Sequence, residues 1–463
     1  MSDIYTPAKE RSLFLRLYWP ALIEQGLTIF IGFVSTIMVS NVGAYAVSGV
    51  SLVDQINFLV FNVFNALASG ATVVIAQYIG ASKAARAEET ARQAVSICTL
   101  SAALLGVITI TFGKSLLSLL YGSADPDVLD AGYIYLIFSG ISYPFLGLYS
   151  ASAGIMRAAG NTRTPMISSA LSNIVNLAVA SILIFGAGIG VYGVSIAMLL
   201  ARITSGIMSY VVLLKSNGPV PFSGAAKRFE WYVLAPIFKV GVPTGIDSII
   251  FQGSRIFLST LLSEMGTLAL HANAIGNSIF GLLTLSGTAF QIVTVTIVGQ
   301  AYGAGQFLSA KKLMLKLCLY SSAFQILNYV PILPLLDIIV KFYGPAQETI
   351  GLVKQIIYSS CIMVPIAWSF SFILPLALRS VGDAKWTMYI SLMSLLIFRV
   401  TGSWLLVKRF DWGVLGIWSG MYLDWIGRSA GYLIRAVFNF WNGRKKPVDT
   451  LPYAENKENL AVH

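Results

Sequence analysis

Acidic side chains within apolar sequence are the first residues of this chain that suggest chemistry. Glu24 lies in the stretch YWPALIEQGLTIFIGF, and Asp247 lies in a second stretch, GVPTGIDSIIFQGSR. A proline, Pro20 or Pro243, stands four residues before each acid, so the two stretches share one local plan. A charged carboxylate at the centre of a bilayer costs at least about 2.5 kcal/mol. We therefore expect both acids to face the protein interior.

An acid in such a place has two chemical uses. Burial generally raises the pKa of a carboxyl group, so the group exchanges a proton near neutral pH or has its charge balanced by a cation. We predict that Glu24 and Asp247 are ion-coupling residues, and that Asp54, in LVDQINF, is a third. The alternative for Glu24 and Asp247 is a hydrogen bond to a neighbouring helix. The alternative for Asp54 is a solvated helix terminus.

Other polar residues in apolar sequence predict a substrate cavity, and they are Arg255, Asn173, Asn176, Gln77, Asn273, Asn277 and Gln291. Taken singly, each amide fits an interhelical hydrogen bond better, worth about 0.6 kcal/mol on average. Arg255 follows Asp247 by eight residues, so it is predicted either to pair with that acid by way of another helix or to extend toward the membrane surface. Arg399 is predicted to extend toward the outer surface. Asp424 and Arg428, spaced i and i+4, are predicted to form an ion pair.

The apolar runs that carry these residues predict membrane-spanning helices. The chain has 463 residues, of which 56% are hydrophobic and 11% charged, and its mean hydropathy is +0.75. Soluble domains have about 25% charged residues, and a helix needs about 20 residues to cross a bilayer. Twelve runs are long enough: 13–42, 46–79, 91–119, 130–157, 165–186, 190–214, 235–263, 268–300, 310–340, 349–378, 385–407 and 413–438. The runs are continuous, which predicts an all-α membrane protein of twelve transmembrane helices.

The net charge of +11 is unevenly distributed along the chain. Of the 31 Lys and Arg residues, 21 fall in segments on one side of the predicted spans and five fall in or near loops on the other. This excess indicates that both termini are cytoplasmic, in a plasma (inner) membrane protein that crosses the membrane many times. The same distribution argues against a nucleic-acid partner.

An internal repeat relates the two halves of the sequence. VGAYAVSGVSLVDQI matches MGTLALHANAIGNSI at an offset of 223, and MRAAGNTRTPM matches LRSVGDAKWTM at 222. Each half holds six predicted spans, which indicates two six-helix lobes related by a pseudo-twofold axis along the membrane normal. The predicted boundaries are 1–214 for the N-lobe, 215–234 for a cytoplasmic linker, 235–440 for the C-lobe and 441–463 for a polar cytoplasmic tail.

Several motifs together resemble a known family. GFVSTIMVSNVGAYAVSGVS, VIAQYIGA and MRAAGNTRTPM, with EMGTLALHANAIGNS and TIVGQAYGAG in the second half, resemble multidrug and toxic compound extrusion (MATE) transporters of bacterial type. The likeness covers nearly the whole chain to about residue 440. It implies two lobes around a central cavity, and the exchange of Na⁺ or H⁺ for amphipathic, often cationic, organic compounds. Ser35 departs from the pattern, because many members carry an Asp at that position.

The sequence thus predicts a secondary active antiporter that exports drugs and toxins by alternating access and acts as a monomer. We expect no enzyme activity, because HExxH, GxSxG and Walker motifs are missing and the only histidines are His271 and His463. The expected partners are small organic substrates and membrane lipid, with no cofactor beyond the coupling ion, H⁺ or Na⁺. The three cysteines lack CxxC spacing, so no metal site is expected. The alternative is a flippase of the same superfamily for lipid-linked oligosaccharides or lipids, which would need more Arg and Lys in its cavity.

Overall fold

The computed structural model describes residues 7–122, 124–216, 218–226, 228–344 and 346–441. These residues form helices and their connections, with no strand among them, so the predicted all-α class is confirmed. The predicted polar tail, apart from residue 441, lies outside the described residues.

The first half of the chain contributes six helices. They are α1 (Pro7–Ser40), α2 (Ala44–Gly80), α3 (Ala84–Tyr121), α4 (Pro126–Ala158), α5 (Arg163–Ser181) and α6 (Gly190–Leu214). A π-helical turn, Ile182–Gly186, extends α5. Each of these helices coincides with one predicted run. A long apolar segment in lipid must pair its own backbone N–H and C=O groups, and a helix does this within the segment.

The second half has more breaks than the first. Its helices are α7 (Trp231–Ser263), α8 (Thr267–Leu283), α9 (Leu285–Gly303), α10 (Phe307–Ile332), α11 (Leu336–Phe342), α12 (Gln347–Met363), α13 (Ser369–Phe372), α14 (Leu374–Ser380), α15 (Ala384–Ser394), α16 (Ser403–Lys408) and α17 (Gly413–Trp441). Two π-helical segments, Val364–Trp368 and Leu395–Gly402, join α12 to α13 and α15 to α16. The predicted run 268–300 is therefore two helices, bent by 52°.

By length and composition, ten helices in the described part of the chain could cross a membrane, or eleven if α8 and α9 form one span. The twelfth predicted run coincides with α17, which carries Asp424 and Arg428 within its apolar sequence and is not among the ten. All twelve predicted runs thus contain helix, and the run 310–340 is divided between α10 and α11 by a turn at residues 333–335.

The helices form two compact units, one comprising Ala8–Val242 and the other beginning at Pro243, so the division falls inside α7. The segment predicted as a linker packs on the first unit. The Ala226 amide donates a hydrogen bond to Ser96 Oγ (2.9 Å), and the Glu230 amide donates one to Gln93 Oε1 (3.0 Å). Val220 and Phe222 are buried in a hydrophobic cluster that also contains Ala94 and Val95 of α3. The connection between the two halves is therefore a packed part of the first unit.

Close contact between α3 and α4 depends on glycine. A Cβ atom added to Gly106 would lie 2.4 Å from the backbone oxygen of Gly140, far inside normal contact distance. Small residues bring membrane helices together in this way, because helix association in lipid relies on van der Waals packing. The pair Gly106 and Gly140 therefore sets the separation of α3 and α4, and α4 carries part of the candidate site described below.

We expect Gly106→Val to destabilise the first unit by about 1–3 kcal/mol, the usual cost of overpacking a close contact. The apparent Tm of the purified protein in detergent measures the effect. Gly32→Val is the matched control, because a Cβ there meets no atom within 4 Å and the same side chain is added to a helix. Equal losses of Tm in the two variants would contradict the prediction.

Candidate ion-coupling sites

Glu24 forms a buried ion pair inside the first unit. Arg157 Nη2 lies 2.5 Å from Glu24 Oε1, and the Tyr149 hydroxyl donates a longer hydrogen bond, 3.3 Å, to the same oxygen. Arg157 and Tyr149 lie two turns apart on α4, so they reach Glu24 on α1 from one helix face. The other oxygen, Glu24 Oε2, is buried and has no hydrogen-bond partner among the described residues.

Asp247 forms the corresponding pair inside the second unit. Arg379 Nη2, on α14, lies 2.6 Å from Asp247 Oδ2, and Arg379 Nε also donates a hydrogen bond to Thr387 Oγ1 at 3.2 Å. The side chain of Asp247 is 15% exposed and that of Arg379 is 8% exposed. As in the first unit, the second carboxylate oxygen, Asp247 Oδ1, is buried without a hydrogen-bond partner in the described part of the chain.

The two ion pairs are equivalent by the repeat. The acids are 223 residues apart (247 − 24), and the arginines are 222 apart (379 − 157), at matching positions of MRAAGNTRTPM and LRSVGDAKWTM. In each pair the guanidinium offsets the cost of burying the carboxylate. Each acid also keeps one oxygen that no described protein group occupies, and that oxygen is able to accept a proton or a cation.

Sequence reasoning did not identify the two arginines as partners of the acids. It counted Arg157 and Arg379 as charges that flank the spans, because each lies near the end of a predicted run. Of the two alternatives predicted for Arg255, the pairing with Asp247 by way of another helix was wrong, because Arg379 pairs with that acid. Eight residues separate Arg255 from Asp247, about 12 Å along a helix, which is too far for direct contact. The sequence did contain a signal for these pairs, because the two acids and the two arginines repeat at nearly the same offset between the halves.

Asp54 belongs to a separate hydrogen-bonded network in the first unit. Its Oδ1 accepts hydrogen bonds from the Tyr135 hydroxyl (3.1 Å) and from Asn57 Nδ2 (3.4 Å). Asn57 in turn accepts one from Tyr143 at 3.1 Å and donates one to Ser139 at 3.0 Å. Asp54 is the eleventh residue of α2, which begins at Ala44, so it lies within the helix rather than at its terminus.

A third cluster in the second unit confirms one prediction and contradicts another. Arg428 Nε lies 2.9 Å from Asp424 Oδ1, so the predicted i, i+4 ion pair is present. Arg399, predicted to extend outward, is instead only 6% exposed. Its Nη1 lies 3.4 Å from Asp424 Oδ2, and its guanidinium carbon lies 4.6 Å from the centre of the Phe251 ring. Arg399 lies in the π-helical segment Leu395–Gly402, where the wider turn changes the direction of its side chain.

The other predicted cavity residues lie in different places. Arg255, Asn273 and Asn277 line one pocket of about 140 Å³ in the second unit. Gln77 is buried on α2, and Asn173 and Asn176 lie half-buried on α5, all in the first unit. Gln291 lies on α9 and does not line the pocket. The structure therefore brings together three of the seven predicted cavity residues.

Known proteins with similar sequences are named as multidrug resistance proteins or as transporters. The "Probable multidrug resistance protein NorM" of Thermotoga maritima is 27% identical over 95% of this chain and 96% of its own length. The "FAD transporter" of Shewanella oneidensis is 24% identical over 69% of this chain and 71% of its own. Among solved structures, a variant of the Vibrio cholerae MATE transporter VcmN has a TM-score of 0.83 at 20% identity, covering 94% of this chain and 98% of that one. These names do not favour the flippase alternative.

The MatE family model matches the chain twice, over residues 20–182 and 243–405. The two matches begin 223 residues apart (243 − 20), which is the offset of the internal repeat and of the two acids. Together they span more than half of the chain, and each contains one buried acid with its arginine partner. The chain therefore belongs to the MatE family and is a multi-pass membrane protein with the fold of MATE transporters.

Proposed function

We propose that the protein is a secondary active antiporter that exports amphipathic, often cationic, organic compounds in exchange for H⁺ or Na⁺. In this proposal it acts as a monomer by alternating access in the cell membrane, with both termini in the cytoplasm. The proposal draws on membership of the MatE family and on the excess of Lys and Arg in the predicted cytoplasmic segments. It needs no cofactor beyond the coupling ion and assigns no enzyme activity.

One observation carries the proposal, namely the free carboxylate oxygen of each arginine-paired acid. A proton or cation at Glu24 Oε2 or Asp247 Oδ1 cancels the negative charge that holds the arginine. The guanidinium then loses a charge-assisted hydrogen bond in a place where an unpaired charge is costly. Loading thus favours a rearrangement of α1 against α4 and of α7 against α14. The ion drives transport only if it binds the inward-facing and outward-facing states with different affinity.

The geometry of the two pairs favours H⁺ as the coupling ion. A proton needs one oxygen, whereas hard metal cations take several oxygen ligands at once. Each pair offers one buried free oxygen beside a guanidinium, whose positive charge also repels a metal cation. Asp54, with its tyrosine and asparagine donors, is proposed as a further proton-accepting group in the first unit.

The names of the relatives set the proposed class of cargo. Several are named as multidrug resistance proteins and one as an FAD transporter, so small organic molecules of varied chemistry are handled within the family. We extend that breadth to this chain as a proposal and do not limit its cargo to cations.

Purified protein in sealed proteoliposomes tests the proposal. We expect ethidium to move against its concentration gradient when a pH gradient is imposed, and the movement to stop when an ionophore collapses that gradient. A Na⁺ gradient at constant pH forms the second arm and identifies the coupling ion. Ethidium movement that is the same with and without both gradients would overturn the antiporter proposal.

A further inference from the structure

A pocket in the second unit has a chemistry that the proposed ion sites do not use. It has a volume of about 140 Å³ and lies between the second half of α7, α8, the π-helical segment Leu395–Gly402 and α17. Arg255 and Arg399 contribute its charged groups, and Trp418 and Met421 contribute apolar walls. None of its lining residues is acidic.

The arginines around this pocket outnumber their counter-ions. Arg399 and Arg428 share a single carboxylate, that of Asp424. Arg255 makes no ion pair or hydrogen bond with any residue that the structure describes, and its side chain is exposed. Two guanidinium groups, those of Arg255 and Arg399, therefore face the pocket, and the one carboxylate that pairs with Arg399 is shared with Arg428. Two like charges that face one small cavity repel each other, and an anion placed between them would reverse that repulsion.

The charged groups of the pocket, Arg255 and Arg399, are hydrogen-bond donors and cannot accept. Arg399 Nε is buried and has no acceptor in the described part of the chain. The Trp418 indole N–H donates to Asn273 Oδ1 at 3.1 Å, which fixes the orientation of that amide and leaves its NH₂ group as a donor. The Ser259 hydroxyl and Asn277 Nδ2 already donate, to the Ile256 carbonyl (2.9 Å) and the Asn273 carbonyl (2.8 Å), so the donors that matter for a ligand are the two arginines and the Asn273 amide. Such a set suits an acceptor-only ligand group such as a carboxylate or a phosphate.

From this geometry we infer that the pocket binds the anionic group, a carboxylate or a phosphate, of an amphipathic organic compound. The volume of about 140 Å³ is below the roughly 300–1,000 Å³ of pockets for whole drug-sized ligands, so the pocket holds the anionic end alone. Leu258, Leu262 and Trp418 then contact the apolar part next to it. The inference rests on the proposed function and specifies that its cargo includes zwitterionic and anionic amphipaths.

A matched pair of ligands tests the inference by direct binding without any gradient. Norfloxacin carries a carboxylate and a piperazinium, and its methyl ester keeps only the cation. In phosphatidylcholine nanodiscs, fluorescence anisotropy should show that the parent protein binds the free acid at least about tenfold more tightly than the ester, as expected for a charged hydrogen bond. Arg255→Gln should abolish that preference, while its apparent Tm stays equal to that of the parent protein. Arg255→Lys should keep part of the preference, because it retains the charge without the fork of donors.

The controls separate charge, folding and the source of the anion. Arg409→Gln removes an exposed arginine outside the pocket and should keep the full preference for the free acid. An apparent Tm equal to that of the parent shows that Arg255→Gln protein is folded. Phosphatidylglycerol added to the nanodiscs should displace norfloxacin from the parent protein only if a lipid headgroup also enters the pocket. Without displacement, soluble compounds are the ligands, and both results support the inference.

The outcomes also separate this inference from the proposed function. Equal binding of acid and ester by the parent protein, or the same preference in Arg255→Gln protein, overturns the inference even if a gradient drives ethidium export. An acid preference that depends on Arg255 supports the inference, and a lack of gradient-driven export in the same preparation would then contradict only the antiporter proposal.

Discussion

Replacing both buried acids, as Glu24→Gln and Asp247→Asn in one chain, is expected to reduce gradient-driven ethidium export to the level of protein-free vesicles. The amides keep the size of the acids and still accept a hydrogen bond from arginine, but they neither take up a proton nor balance a cation. Each single variant should lose part of the export rate. Uptake of ethidium into proteoliposomes under an imposed pH gradient is the measurement.

Asp337→Asn is the control for loss of a carboxylate. Asp337 pairs with Lys354 at 2.5 Å, yet its side chain is 63% exposed, so the substitution changes the same functional group in contact with solvent. Its export rate should match that of the parent. If the double variant of Glu24 and Asp247 also exports ethidium at the parental rate under each gradient, the two acids serve packing and not ion coupling.

Removing the arginine of the first pair should have the largest effect on stability. Arg157→Met leaves Glu24 buried without its cation, and breaking a buried ion pair in this way costs about 3–5 kcal/mol. Adding Glu24→Gln to Arg157→Met should recover most of that loss, because no uncompensated charge remains. The apparent Tm of the four proteins in this double-mutant cycle measures the interaction.

An exposed ion pair provides the comparison for this cycle. Lys408 and Glu264 lie 2.6 Å apart, but their side chains are 47% and 53% exposed. Such pairs contribute about 0–1 kcal/mol, so Lys408→Met should change the Tm little. If Arg157→Met is as mild as Lys408→Met, or if Glu24→Gln fails to restore stability, the Glu24–Arg157 pair is not the buried interaction described above.

The sequence was sufficient to predict the helices but not the partners of the acids. Helix was predicted in the right places because a bilayer requires about 20 apolar residues from every helix, which leaves a strong signal in the sequence, but ten or eleven of the twelve predicted spans are long and apolar enough in the described part of the chain. The partner of Glu24 depends on how α1 packs against α4, and residues 24 and 157 are far apart in the chain. Arg157 therefore looked like a charge at the end of a span. The repeat does give a signal, because Arg379 occupies the position in the second half that Arg157 occupies in the first.

The other differences arise from local backbone geometry. Arg399 turns inward because residues 395–402 form a π-helical segment, and an apolar run gives no indication of such a segment. The run 268–300 bends by 52° at Thr284, whose hydroxyl bonds to the carbonyl of Phe280. Hydroxyl groups that bond back to the preceding turn often bend helices, but Thr is common enough in membrane spans that its presence does not predict a bend.

The duplicated acid has an energetic consequence for the proposed antiporter. One ion that crosses down a tenfold gradient releases about 1.4 kcal/mol, enough to sustain about a tenfold accumulation of cargo. Two carboxylates with a free oxygen each, one per half, raise that ceiling to about a hundredfold if both discharge in every cycle. The number of halves that carry a buried acid would then determine how large a concentration ratio of cargo the protein can maintain across the membrane.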